Sequence, residues 1–259
     1  KFLITFSCKN GNKMMNFGRL SLNFDKKKRL KRQIKLIVFH YTGMQSKVEA
    51  FKKLYSPKSK VSCHYFIDEI GNITKIVPEK FSAWHAGKSG WKNFKFLNKF
   101  SVGIELVNPG HDFGYRKFSK KQIHSLKKIS KKLIAKYNII DSNIVGHSDI
   151  APLRKKDPGE KFPWKELANS KIGIWHKLKN KELKKNRRKK TNIYEKKFFF
   201  KCINKIGYQT QYNLKKSVYE NKIIRAFQRR FRTEYISGVI DKECLLIAKN
   251  LSFLVINKS

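Results

Sequence analysis

Ile34-Lys35-Leu36-Ile37-Val38-Phe39-His40 is a short, mostly apolar run that ends on a histidine. A run of that length and composition makes a buried strand, and a polar residue closing it sits at the strand mouth. In Ser101 to Val107 the alternation puts Val102, Ile104 and Leu106 on one face and Gly103, Glu105 and Val107 on the other, so Glu105 points away from the Ile104 face. Ile144-Val145-Gly146-His147 reads as a second short strand ending on histidine, followed by a Pro- and Gly-containing loop from Ala151 to Pro163. Val61 to Asp68 and Ile73 to Val77 read as two strands joined through Glu69-Ile70-Gly71-Asn72. Ser119 with Gln122 is a capping-box pattern, and it opens a helix whose apolar stripe is Ile123, Leu126, Ile129, Leu133, Ile134 and Tyr137. The expected fold class is α/β, a mixed β-sheet flanked by helices.

The 259 residues suit one substantial domain plus a small second one. Residues 1–33 read as an N-terminal extension, 34–176 as the principal domain, 177–196 as a basic linker and 197–259 as a small three-helix domain. The linker is read from nine Lys or Arg against one Glu between Lys177 and Lys190, a composition that resists packing. The helices beyond it are expected over Phe198 to Ile206 with Gly207 as stop, Ser217 to Phe231 opened by a Ser217/Glu220 capping box, and Asp241 to Leu251.

Lys+Arg number 60 against Asp+Glu 18, a formal net charge of +42. Nucleic acid, an anionic membrane surface and an acidic cell-wall polymer all fit that field, and a codon-biased genome that enriches solvated faces in lysine produces the same number. Cys8, Cys63, Cys202 and Cys244 are scattered with no C-x-x-C spacing, which excludes a four-thiolate zinc site and leaves no disulfide framework to read. No run reaches the 18 or more apolar residues of a membrane-spanning helix. The start, Lys1 to Cys8, lacks an initiator Met and reads as the stub of a trimmed export signal.

Two strand-end imidazoles, His40 and His147, and the carboxylate of Asp157, ten positions after His147, make a three-ligand metal site with a fourth position open. The rival reading of either histidine is a hydrogen-bonded polar residue at a strand end.

Six segments in order carry a resemblance: Phe39-His40-Tyr41-Thr42-Gly43, Val61 to Ile67, Ala83-Trp84-His85-Ala86-Gly87, Val102-Gly103-Ile104-Glu105, Gly146 to Pro152 and Arg154-Lys155-Lys156-Asp157-Pro158-Gly159. Over about residues 34 to 167 the chain resembles the zinc N-acetylmuramoyl-L-alanine amidases, a family that includes bacterial anhydro-muramyl-peptide amidases and bacteriophage T7 lysozyme and has peptidoglycan recognition proteins as relatives. The resemblance implies zinc (Zn2+) on His40, His147 and Asp157. It implies Glu105 as the acid-base residue that takes a proton from water and passes it to the leaving amine, and Lys155 as the cation facing the oxyanion. The neighbouring Lys156 is expected to point the opposite way on an extended loop. His64, Trp84, His85 and Asn108 are implied as substrate-cleft residues, while His111 reads as a loop residue.

The C-terminal segments Ile206-Gly207-Tyr208, Ile224 to Phe231 and Ile236 to Asp241 resemble a peptidoglycan-binding domain, with Phe227 and Phe231 in its core and Gln228, Arg229 and Arg230 facing outward. The expected function is hydrolysis of the amide between N-acetylmuramic acid and L-alanine in peptidoglycan or muropeptides, with the C-terminal unit as a tethered anchor whose removal spares cleavage of small substrates. A monomer in the bacterial cell envelope or periplasm is expected, the cytoplasm being the site if the substrate is recycled muropeptide. The alternatives are a non-catalytic peptidoglycan-recognition protein and a basic nucleic-acid-binding protein.

Overall fold

The structure, a computed structural model, describes residues 5–9, 12–16, 21–210 and 215–256. The export-signal reading falls partly on residues 1–4, outside the described residues. β1 (Thr5–Lys9) and β2 (Asn12–Asn16) pair antiparallel. After a short β3 (Phe24–Asp25) come β4 (Leu36–Tyr41), α1 (Lys47–Tyr55), β5 (Tyr65–Ile67) and β6 (Ile73–Lys75). Three two-residue strands follow, β7 (Ser82–Ala83), β8 (Gly90–Trp91) and β9 (Phe94–Lys95), then β10 (Ser101–Leu106), α2 (Lys120–Tyr137), β11 (Ile144–Gly146) and the single turn α3 (His147–Ile150). The helices α4 (Trp164–Asn169), α5 (Asn180–Asn186), α6 (Ile193–Ile206), α7 (Lys216–Phe231) and α8 (Lys242–Ile256) complete the described chain.

The main sheet runs β11-β4-β10-β5-β6, with the first four strands parallel and β6 antiparallel at the edge. A strand buried on both faces reads as a continuous apolar run, and β4 shows why. Ile37 and Phe39 pack with Val102, Ile104, Leu106 and the α2 residues Ile123, Leu126 and Leu133. Leu36 and Val38 face the other way and join a different cluster. The α2 capping box forms as expected, Ser119 Oγ accepting from Gln122 N and Ser119 N donating to Gln122 Oε1, both at 3.0 Å. One strand end differs from expectation. His147 is the first residue of α3, because the Asp149 carboxylate accepts from Gly146 N at 2.8 Å and turns the chain there.

The C-terminal half departs further from the sequence reading. The segment expected as an unpacked linker contains α5, whose Leu183 is buried, and Arg187 grips Glu243 through two hydrogen bonds of 2.7 and 2.8 Å. Lysines solvate one side of this turn while a single leucine seats the other. Helix α7 starts at Lys216, so Ser217 lies inside its first turn and is not the N-cap residue. Gln228 and Arg230 point inward and are almost fully buried, correcting the outward reading of that face. Arg229 is largely covered as well, its side chain 13% exposed.

The helices α6 to α8 share one core with the sheet. Phe199, Ile203, Phe227 and Ile247 belong to the same cluster as Leu36, Val38, Trp91 and Val145. The expectation of a separately tethered module thus meets a bundle that covers one face of the principal sheet. Among the described residues no helix is long and apolar enough to cross a membrane. Because the core is continuous, Phe199→Ala should cost roughly 3–5 kcal/mol, and sheet and bundle should melt together. Urea unfolding followed separately by a bundle probe and a sheet probe checks this, with coincident transitions expected.

Candidate functional site

The register of β4 on β10 sets the site. Glu105 pairs with His40 across adjacent parallel strands, on the face opposite Ile104 and Phe39. Both stand at carboxyl ends of strands, where open α/β sheets leave a crevice for ligands. The α3 turn adds His147, and the loop after it adds Asp157, whose carbonyl accepts from Ser148 N at 2.8 Å. His40, His147 and Asp157 are all buried and converge. His40 Nδ1 lies 3.0 Å from His147 Nδ1 and 3.0 Å from Asp157 Oδ2, and His147 Nδ1 lies 3.1 Å from the same oxygen.

The outer hydrogen bonds decide which ring nitrogens carry protons. Ser101 Oγ donates to Leu97 O at 2.6 Å, so it accepts from His85 Nε2 at 3.1 Å. His85 Nδ1 must then accept from His40 Nε2 at 3.0 Å, which leaves a lone pair on His40 Nδ1. His147 Nε2 faces Ala86 O at 3.2 Å and donates to it, freeing its own Nδ1. Two imidazole lone pairs and a carboxylate oxygen therefore point at one another, a donor set that repels itself until a cation joins it. These residues fit a metal ion.

Charge follows the same logic. Burial lowers the His40 pKa to about 4, with the facing His147 ring adding to the effect and Asp157 opposing it, so the His40 ring stays neutral and ready to ligate. Burial alone would raise the Asp157 carboxyl, but the facing His147 and His40 rings hold it well below the usual range. Glu105 is pushed the other way, well above 4.5, by burial and then by the Asp157 charge, with Lys155 and Lys53 pulling it back. Its Oε2 is inaccessible and has no hydrogen-bond partner among the described residues.

A cleft of about 470 Å³ opens over this cluster, lined among others by Tyr41, Met44, Lys53, Trp84 and Arg154. That volume suits a small organic ligand. Lys155 and Lys156 both line it. Lys155 is the one whose charge bears on both Glu105 and His40. Trp84 lines the cleft while its Nε1 donates to Asp25 at 2.8 Å.

Two residues expected in the cleft are elsewhere. His64 is fully buried beside β10, with Nδ1 accepting from Gly103 N at 3.0 Å and Nε2 between Arg29 at 2.9 Å and Phe81 O at 3.1 Å. Asn108 is buried too and braces its loop, bonding Arg116 O at 2.8 Å and Gly110 N at 3.1 Å. His111 is a loop residue as expected, held by Tyr41 and Glu160. His85 touches the cleft, yet its main contact is with His40.

Sequence reasoning missed Gly103 and Arg154. A Cβ on Gly103 would lie 2.4 Å from His85 Cγ, so only glycine lets that ring settle on the sheet behind His40. Arg154 closes the cleft wall by donating to the carbonyls of Ala86 and Lys88. A glycine on the same strand face as Glu105 was the available signal for the first; nothing in the sequence separates Arg154 from the other basic residues.

Residues 30–160 match the family described as N-acetylmuramoyl-L-alanine amidase. The chain is 32% identical over 231 residues to the N-acetylmuramoyl-L-alanine amidase AmiD of Escherichia coli K12, covering 85% of this chain and 82% of that one. Among solved structures it is similar to E. coli AmiD in complex with the substrate anhydro-N-acetylmuramic acid-L-Ala-D-gamma-Glu-L-Lys, at a TM-score of 0.74 and 30% identity over 95% of this chain and 96% of that one. It is likewise similar to AmpDh3 of Pseudomonas aeruginosa in complex with anhydromuramic pentapeptide, at a TM-score of 0.74 and 30% identity over 86% and 92% of the two chains.

The donor set carries its own test. Metal-free protein should take up one divalent ion per chain in equilibrium dialysis, and Asp157→Ala should abolish uptake, whereas His64→Ala, if it folds, should retain it.

Proposed function

Because this chain belongs to the N-acetylmuramoyl-L-alanine amidase family and is an amidase, we propose that it uses zinc to hydrolyse the amide between N-acetylmuramic acid and L-alanine in peptidoglycan fragments. The observation that carries the proposal is the in-register pair of Glu105 and His40, with His147 and Asp157 closing on the same point. Zinc suits two imidazole nitrogens and one carboxylate oxygen. The three ligand atoms lie 3.0–3.1 Å from one another, so a single ion would be within reach of all of them. When bound, zinc brings the pKa of water toward about 7 and polarises the amide carbonyl.

The chain's own residues do the rest. Glu105 accepts a proton from the attacking water and returns it to the alanine nitrogen as the C–N bond breaks. Burial and the neighbouring Asp157 keep its proton affinity high enough for the return step, and Lys155 limits that rise. Lys155 also offers its ammonium to the negative charge that develops on the carbonyl oxygen. Lys53, Arg154 and Lys156 line the same cleft and complement the carboxylates of a peptide stem. The reading extends to a muramyl peptide as substrate and to the bacterial cell envelope, where that polymer lies, as the place of action. Comparing products from whole sacculi with those from a soluble anhydro-muropeptide by mass spectrometry tests the substrate form, with release of an L-alanine-ended peptide expected from at least the soluble one.

Glu105→Gln should retain zinc but lose roughly a hundred- to ten-thousandfold in turnover. In the parent enzyme the acidic limb of kcat/KM should lie above pH 4.5, since Glu105 is raised from that value and activity requires its ionised form. Lys155→Met should lower kcat by roughly a hundred- to a thousandfold, whereas Lys156→Met should act mainly on KM. Steady-state kinetics across pH with a soluble muropeptide checks all three.

A further inference from the structure

The chain beyond residue 190 reaches back to the turn that carries His147. Arg230, 2% exposed, donates through Nη1 to Asp149 Oδ2 at 2.6 Å and through Nη2 to Ile144 O at 3.0 Å. Its guanidinium lies 4.1 Å from the centre of the Trp164 ring. The Tyr208 hydroxyl donates to Asp149 Oδ1 at 2.5 Å, and its ring packs edge-on against Trp91 at 4.9 Å. Asp149 is 1% exposed, and its Oδ2 also accepts from Gly146 N. A buried carboxylate is tolerated only when donors satisfy it; here two of its three donors come from the C-terminal unit.

Asp149 stands two residues beyond His147, and the amides on either side of His147 are both tied. Gly146 N donates to Asp149, and Ser148 N donates to the carbonyl of Asp157. A second line reaches the opposite wall. Arg229 Nε is 3.7 Å from Glu160 Oε2, Glu160 accepts from His111 Nε2 at 3.0 Å, and His111 Nδ1 accepts from the Tyr41 hydroxyl at 2.9 Å. Tyr41 follows His40 and lines the cleft. The contact is close along its length: Lys92 N donates to Gly207 O at 2.8 Å, and a Cβ on Gly207 would meet Trp91 at 2.4 Å.

We propose that the C-terminal helical unit is a positioning element of the metal site: Arg230 and Tyr208, acting through Asp149, hold the turn that aims His147 Nδ1 at His40 and Asp157. This rests on the metal reading above. Removing the unit would therefore strip Asp149 of two of its three donors beside the ligand turn, and would not leave an intact enzyme without its anchor.

Three variants test the assignment. Tyr208→Phe keeps the ring and deletes one hydrogen bond, Arg230→Met removes the ion pair, and Phe199→Leu loosens the same core without touching Asp149. Zinc affinity is read by competition with a chromogenic chelator, amide hydrogen exchange at residues 146–150 is read on metal-free protein, and Tm is read for each. Tyr208→Phe and Arg230→Met should weaken zinc binding by roughly threefold to tenfold, less than the ten- to hundredfold typical of a direct partner of a ligand, and should speed exchange at Gly146 and Ser148. Phe199→Leu should lower Tm and change neither. If the first two variants alter affinity and exchange no more than Phe199→Leu at a matched loss of Tm, the unit is a stabilising element only and the proposal is overturned. Should Arg230→Met fail to fold, Tyr208→Phe decides. A parent protein that binds no zinc counts against the proposed function, while exchange at the turn still reports on Asp149.

Discussion

Three electron-pair donors facing one another across 3.0–3.1 Å are the constraint around which this protein is built. Such a cluster is unfavourable by itself, and the surrounding structure holds it by fixing each proton elsewhere. The Leu97 carbonyl ends a chain through Ser101 and His85 that leaves His40 only one way to point its lone pair. The Ala86 carbonyl does the same for His147. Gly103 belongs to this arrangement because any side chain there would push His85 off the sheet. The fold thereby spends a strand-interior glycine and a buried serine on ring orientation.

The second consequence of the sheet is charge separation over a short distance. Asp157 is held ionised by imidazoles while Glu105, one strand away from them on β10, is pushed toward its protonated form by burial and by Asp157 itself. Two carboxyl groups whose environments drive their pKa values apart divide the roles of ligand and proton carrier between them. The basic residues lining the cleft, Lys53, Arg154, Lys155 and Lys156, add a positive local field above the two carboxyl groups.

Much of this was legible in the sequence, for physical reasons. A parallel strand buried on both faces must be an apolar run, so His40 at the end of one and Glu105 on the alternate face of another could be placed before any coordinates. The capping box at Ser119 is local chemistry and was equally readable. Long-range pairing was not. His64 and His85 sit in similar-looking segments, yet His64, entering β5, is enclosed by Arg29, Phe81 and Gly103, whereas His85, leaving β7, lands against the ligand His40. Arg230 looked like one more solvated cation among 60 basic residues, and only the position of Asp149 across the interface turns it inward. The linker was misread for a related reason: composition reports the solvated side of α5, while the single Leu183 that seats it carries no compositional weight.

The central claim is that this cluster hydrolyses an amide between the sugar and L-alanine. It is tested most directly by incubating the zinc-loaded protein with a soluble anhydro-muropeptide in water enriched in oxygen-18 and analysing both products by mass spectrometry. The account predicts one heavy oxygen in the carboxylate released on the N-acetylmuramic acid side and an unlabelled peptide with a new amino-terminal L-alanine. Label in the peptide, or cleavage at any other bond, would contradict it.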